Sequence, residues 1–201
     1  LPYLHLYNSL QIAKSIRRAE EQGYDAVVLG CMLQGGLKEA RSLVDIPVIG
    51  TFESAAWLAA QLGRKFAILA PEESLAYGAK DLVERYGLAN RVTSITGVKS
   101  RTFEMMLEDP DSYLQSLSDE IKAICEEGDA EAIIPFCTIL GSLLASRRLL
   151  SSFDIPMADP VRASLKMAED MVQLGAKLGL KVCRRSVYRK TPKSFLEKIP
   201  L

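Results

Sequence analysis

Histidine is nearly absent from this 201-residue chain, since His5 is the only one. Without a second imidazole no Ser-His-Asp or Cys-His hydrolase can be assembled away from His5, which itself reads as incidental. The four cysteines, at 31, 125, 137 and 183, form no Cys-x-x-Cys pair, so a zinc site lacks its usual ligands and no metal is expected. They are also too few and too scattered for a disulfide scaffold, which makes a cytoplasmic setting with reduced thiols the expectation. No Gly-Lys-Ser or Gly-Lys-Thr follows the glycines of Gln34-Gly35-Gly36, so they build no phosphate loop and instead suit a tight turn. Twenty-five basic residues balance twenty-five acidic ones, which removes the electrostatic case for nucleic acid or for a polybasic membrane contact. No apolar run reaches the ~18 residues a membrane span needs. The longest, Ala132 to Ala145, is interrupted by Pro135. The opening segment is charged and has no small-residue cleavage site, so it does not read as a signal peptide. The chain starts at Leu1 without methionine, and we expect a further N-terminal piece to precede it.

What is present is an alternation of helices with short apolar strands, the pattern of an α/β protein with mostly parallel strands. Asn8 or Ser9 is expected to cap a helix that stops at Gly23, with a strand over 26–31, a helix over 37–44 and a strand over 47–50. A helix from Glu53 to Gly63, a strand over 65–70, a helix over 74–86 and a strand over 92–98 follow. Residues 99–108 show no period and read as a loop. Further helices are expected over 111–127, 139–150 and 160–178, with strands over 132–136 and 155–158. The basic tail from Lys181 to Lys198 reads as irregular. Trp57, beside Leu58 and Leu62, reads as packing, and Cys125 as a buried helix residue.

An internal repeat runs through this order. Gly23 to Cys31, Asp45-Ile-Pro47 and Gln61-Leu-Gly63 recur as Gly128 to Cys137, Asp154-Ile-Pro156 and Gln173-Leu-Gly175, with the two spacings each differing by three residues. Both copies put a cysteine at the end of an apolar strand. In open parallel sheets that position faces the ligand, beside a helix N-terminus that lowers thiol pKa. Both thiols are therefore expected to be partly ionised. If a pseudo-twofold axis relates the copies, Cys31 and Cys137 face one another across a cleft. Inversion of a carbon stereocentre through a carbanion needs that geometry: a base on one face and an acid on the other.

At these residues the sequence resembles the aspartate/glutamate/hydantoin racemase family, and its hydantoin racemase branch most. The resemblance lies in Leu29-Gly-Cys31 with Gly36 and Leu37, in Pro47-Val-Ile-Gly50 followed by Glu53 and Ala55, and in Gly63 to Ile68. It continues in Ala132 to Thr138 and in Leu178-Gly-Leu180 with Arg184, Arg185 and Tyr188. It implies two similar lobes, each a mostly parallel sheet flanked by helices, with the active site in the cleft between them. Residues 1–62 with 157–201 would form the first lobe and 63–156 the second. The family's first strand would precede Leu1. The resemblance also implies a racemase without cofactor, in which Cys31 and Cys137 act as acid and base on opposite faces of a small substrate. Thr138 and the backbone at Met32 and Ile139 would hold polar groups of that substrate. Thr51 and Glu53 are further candidates, although Glu53 equally suits a helix first turn. A homo-oligomer is expected, with a small molecule as the partner.

The chain departs from the family where Thr138-Ile139 stands in place of the Thr-His of glutamate racemases, which argues against glutamate. Pro135-Phe136 is bulkier than the family's usual Leu-Gly. Met32-Leu-Gln-Gly35 also differs from the hydantoin branch. The leading expectation is racemisation of a 5-substituted hydantoin. The alternatives are an amino-acid or allantoin racemase, a diacid decarboxylase, a cis–trans isomerase, or a small-molecule sensor without catalysis.

Overall fold

A computed structural model describes residues 2–99 and 101–196. In chain order its elements are α1 (Pro2–Glu21), β1 (Val27–Leu29), α2 (Leu37–Leu43), β2 (Val48–Gly50), α3 (Thr51–Leu62) and β3 (Phe66–Ala70). They continue as α4 (Glu73–Arg85), β4 (Val92–Gly97), α5 (Phe103–Glu108), α6 (Pro110–Glu127), β5 (Ala132–Pro135), α7 (Thr138–Ser146), α8 (Pro160–Leu178) and α9 (Lys193–Leu196). The architecture is α/β, with parallel sheets flanked by helices. No helix among the described residues is long and apolar enough to cross a membrane.

The chain forms two compact units. One comprises Cys31–Leu33 and Thr51–Ala163, and the other takes the residues before Cys31, Gln34–Gly50 and the residues from Ser164 on. In the larger unit three parallel strands run in the order β4-β3-β5. Every residue of β3 is buried completely, because helices cover both faces of the sheet. Phe66, Ile68 and Ala70 face a core shared with Phe52, Ala55, Ala79, Leu82 and Phe136. Ala67 and Leu69 face a second core with Tyr113, Leu117, Ile121, Leu140 and Leu144. Met157 adds a parallel bridge to Ile133, so the strand expected over 155–158 is reduced to one pairing.

In the smaller unit β1 and β2 pair in parallel, Val28 opposite Ile49. Their core gathers Ile16, Leu29, Leu37, Ala40, Val44 and Val48. Gly36 adopts a left-handed φ of 77°, and a Cβ there would lie 2.7 Å from the Ser9 carbonyl oxygen. Glycine is thus required on both counts, and the turn expected at Gln34-Gly35-Gly36 is present. The repeat survives as pairing: in each copy the strand before the cysteine pairs in parallel with the segment after Asp-Ile-Pro.

Several expectations are corrected. α1 is already under way at Asn8 and Ser9, and the Ser9 hydroxyl donates to the His5 carbonyl oxygen at 2.7 Å instead of capping. Residues 103–108 are helical rather than loop, because Thr102 caps them by accepting from the Met105 N–H and Met106 is buried. Trp57 is 55% exposed on α3, so it is not packing. The tail, by contrast, is irregular up to α9 as expected, and it packs against α2. Arg184 donates to the carbonyl oxygens of Arg41, Val44 and Tyr188 and pairs with Asp45 at 2.9 Å, while Lys190 pairs with Asp45 at 2.8 Å. The Arg41 guanidinium stacks over the Tyr188 ring at 5.5 Å.

One guanidinium satisfying several part-buried carbonyls is the main tie of this tail, and charged hydrogen bonds are the strong ones. Replacing Arg184 by Ala is expected to lower the unfolding free energy by about 2 kcal/mol in urea titrations. Lysine in its place should recover less than half of the loss, since it lacks the planar fork. The Lys190 hydrogen bond and the Lys190 and Arg184 charges hold the Asp45 carboxyl below the usual range. This contribution is present above the unfolded carboxyl pKa of about 3.9 and is lost as pH falls below it.

Candidate functional site

Cys137 is placed by β5, an apolar strand buried along its whole length. Pro135 at its last position has no N–H to contribute, and the ladder is extended instead by Phe136, whose N–H donates to the Leu69 carbonyl oxygen at 2.8 Å. Cys137 then adopts extended backbone, φ −162° and ψ 134°, as the N-cap of α7. The backbone N–H groups of Ile139 and Leu140 open α7 directly after it. Burial nevertheless pushes the Cys137 thiol up; these N–H groups offset part of the rise, and the nearby Cys31 adds to it. The expectation of a partly ionised thiol is therefore corrected for Cys137: desolvation outweighs the helix terminus.

Cys31 belongs to the same compact unit. It is exposed, and its carbonyl oxygen accepts the Thr51 hydroxyl at 2.8 Å. Thr51 is buried at the start of α3, and Met32 is buried in the core that contains Phe52 and Phe136. The next helix, α2, starts at Leu37, so Cys31 stands at a strand end but not at a helix N-terminus. The two thiols are close enough for the charge of one to be felt at the other.

Thr138 and Ile139 open α7 directly after Cys137, and the Ile139 side chain is 44% exposed. Glu53 lies in the first turn of α3, where its carboxylate accepts the Tyr86 hydroxyl at 2.8 Å. Phe52 joins these residues by ring contacts to Tyr86 and, edge-on, to Phe136. Cys125 packs against the second core, and Cys183 is exposed. Among the described residues no group of three or more His, Cys, Asp or Glu side chains gathers to hold a metal.

One residue near Cys137 escapes a reading of the sequence. Tyr113, fully buried on α6, donates its hydroxyl to the Pro71 carbonyl oxygen at 2.8 Å. Burial, with the Cys137 and Glu72 charges adding, pushes that hydroxyl far above its usual range and keeps it neutral. Glu72 accepts the Phe103 N–H at 2.9 Å and the Ser74 hydroxyl. The only hint of Tyr113 in the sequence is its place four residues before Leu117 on the apolar face of α6.

The raised thiol is open to direct measurement. Alkylation of Cys137, followed by peptide mass spectrometry across about pH 6 to 10, should reach half its maximal rate at higher pH in the folded protein than in the denatured chain. An equal or lower inflection would contradict the burial argument. The unfolded thiol ionises first, so stability is also expected to decline as pH rises past about 8.5.

Comparison with known proteins accords with this geometry. Residues 6–168 match the family described as Asp/Glu/Hydantoin racemase. The chain is 33% identical to a hydantoin racemase of Pseudomonas sp. (strain NS671) over 83% of its length and 66% of that protein's. It is 32% identical to a hydantoin racemase of Rhizobium meliloti over 80% of its length and 65% of that protein's. It therefore spans about two thirds of the length of these relatives. Among solved structures, allantoin racemase from Klebsiella pneumoniae superposes with a TM-score of 0.78 at 26% identity, covering 94% of this chain and 74% of the other. With 163 consecutive residues matched (6 through 168), two strand-end cysteines in register with the internal repeat, and parallel sheets of the same kind, the chain belongs to the Asp/Glu/hydantoin racemase family.

Proposed function

We propose that this chain carries the two thiols of a cofactor-independent racemase acting on a 5-substituted hydantoin. The observation that carries the reading is the pairing of Cys31 and Cys137. Each follows a parallel strand of the repeat, both lie in one compact unit, and the Cys31 charge adds to the raised Cys137 thiol. One thiolate removes the proton from C5 of the ring, and the electron pair delocalises into the adjacent carbonyl as an enolate. The other thiol then delivers a proton to the opposite face. Backbone N–H donors at the start of α7 stabilise the developing charge, Thr138 and the Met32 and Ile139 backbone hold the ring's polar groups, and Thr51 and Glu53 complete the surroundings.

A hydantoin suits this site because its C5 proton is already acidified by a ring carbonyl, within reach of a thiol base. The likeness to allantoin racemase fits the same class, since allantoin is a hydantoin carrying a ureido group at C5. A homo-oligomer, cytoplasmic location and a small molecule as the sole partner complete the reading. A second copy would bury Leu4, Leu6 and Tyr7, which stand exposed on α1.

The test is solvent deuterium wash-in, read by mass spectrometry, over hydantoins, allantoin, aspartate, glutamate and substituted malonates. Exchange at C5 with loss of optical rotation is expected for a hydantoin. Cys31→Ser and Cys137→Ser should each lower racemisation by about a thousandfold or more while leaving the circular dichroism spectrum unchanged. Full activity in either variant would sink the two-thiol assignment. Loss of carboxylate from a malonate would identify a decarboxylase, and thermal stabilisation by a panel compound without exchange would identify a binding protein.

A further inference from the structure

Gly78 stands in the interior of α4, a position where alanine serves a helix better. The reason for glycine lies in the space beside it. A Cβ at Gly78 would lie 2.5 Å from a terminal methyl of Leu33 and 3.9 Å from its Cγ, with the Phe136 ring at 4.0 Å. Leu33 is the second residue after Cys31, and it packs on the same core that buries Met32. The segment 31–33 is thereby attached at three successive points: the Cys31 carbonyl to the Thr51 hydroxyl, the Met32 side chain to the core, and the Leu33 methyl to the gap left by Gly78.

Thr51 sits on α3, whereas Gly78 sits on α4. The segment is gripped by two different helices, and the second grip is purely steric. Phe136, which also borders the gap, immediately precedes Cys137 in the chain. The same few ångströms therefore adjoin the backbone on which both thiols are mounted.

We propose that Gly78 is a positioning residue: its missing side chain forms a notch in α4 that seats Leu33 and so sets where Cys31 stands. A methyl group placed in the notch displaces Leu33 from a packed surface, and the displacement passes along two residues to the thiol. The consequence for turnover rests on the reading of Cys31 as an acid–base group. The seating itself does not, and the experiment separates the two.

The experiment uses the whole chain carrying Gly78→Ala. Hydrogen exchange of the Met32, Leu33 and Gln34 amides is measured together with the alkylation rate of Cys31 relative to exposed Cys183 in the same sample. Exchange at these amides is expected to accelerate about tenfold, and the alkylation ratio to shift by roughly threefold or more. The thermal midpoint should change little, because alanine's preference for the helix offsets much of the cost of the displaced methyl. Leu33→Val, one carbon shorter, should return both signals toward wild type in the Gly78→Ala background. Racemisation, where the unaltered chain shows it, should fall in Gly78→Ala and recover in the double variant.

Two results would overturn the proposal. In the first, Leu33 merely swings its methyl aside, and the exchange and alkylation signals stay at their wild-type values. In the second, the midpoint drops and exchange rises along all of α4, which marks general damage to the helix. If the unaltered chain turns over no hydantoin, the functional reading fails while the exchange and alkylation signals still decide the seating.

Discussion

Complete burial of β3 governs the rest of the larger unit. A strand with both faces covered must be apolar throughout, and Phe66 to Ala70 has no polar side chain and no exposure. Helices on both faces leave only the strand ends open to ligands. The ends from which the following helices depart carry the useful groups: the Pro71–Ser74 turn after β3, and Cys137 after β5. The reaction proposed above is thus placed at the rim of the sheet by the same packing that stabilises it. Nothing at that rim needs to be stable on its own account.

The rim is held by a small number of specific polar contacts rather than by apolar area. The Tyr113 hydroxyl fastens the Pro71 carbonyl to α6, and Glu72 fastens the start of α5 to the same turn. Asp159, nearly buried, accepts the N–H groups of Val161 and Arg162 and so fixes the first turn of α8. Gly141 lets α7 approach that turn, since a Cβ there would lie 2.8 Å from the Pro160 ring. The Tyr113 and Glu72 contacts join elements whose positions the hydrophobic cores alone would define only loosely. Loss of such a contact leaves a buried donor or acceptor unmatched, so its cost exceeds the modest net value of the bond.

The parts of this fold visible in the sequence are those with a local cause. Five-residue apolar runs such as Phe66 to Ala70 announce buried strands, and the recurrence of Asp-Ile-Pro after each cysteine announces a repeated strand–helix–strand unit. The strand-end position of both cysteines was legible for that reason. What remained hidden depends on partners far along the chain. The Glu53 carboxylate meets Tyr86, thirty-three residues away, and Tyr113 reaches Pro71 across forty-two. α5 is a six-residue helix defined by the Thr102 cap and the burial of Met106, too short to display a period. The balance at Cys137 was misread because a helix terminus is a local feature whereas burial is not. The sequence shows the N–H groups ahead of the thiol but not the neighbours that strip it of water.

That balance bears on how two unlike thiols can serve one reaction. Cys31 is exposed on a loop, whereas Cys137 is half-buried at the start of α7. Racemisation does not require them to match. Two enantiomers have equal free energy in water, so the reaction proposed here has an equilibrium constant of unity, and kcat/KM must be the same in both directions. Any difference between the thiols is then confined to changes in which kcat and KM move together. The enantiomer whose complex needs the less favourable protonation arrangement binds more weakly and turns over faster in equal measure. Unequal surroundings for the two cysteines are therefore compatible with a two-base mechanism, and they set how tightly each enantiomer is held before the proton moves.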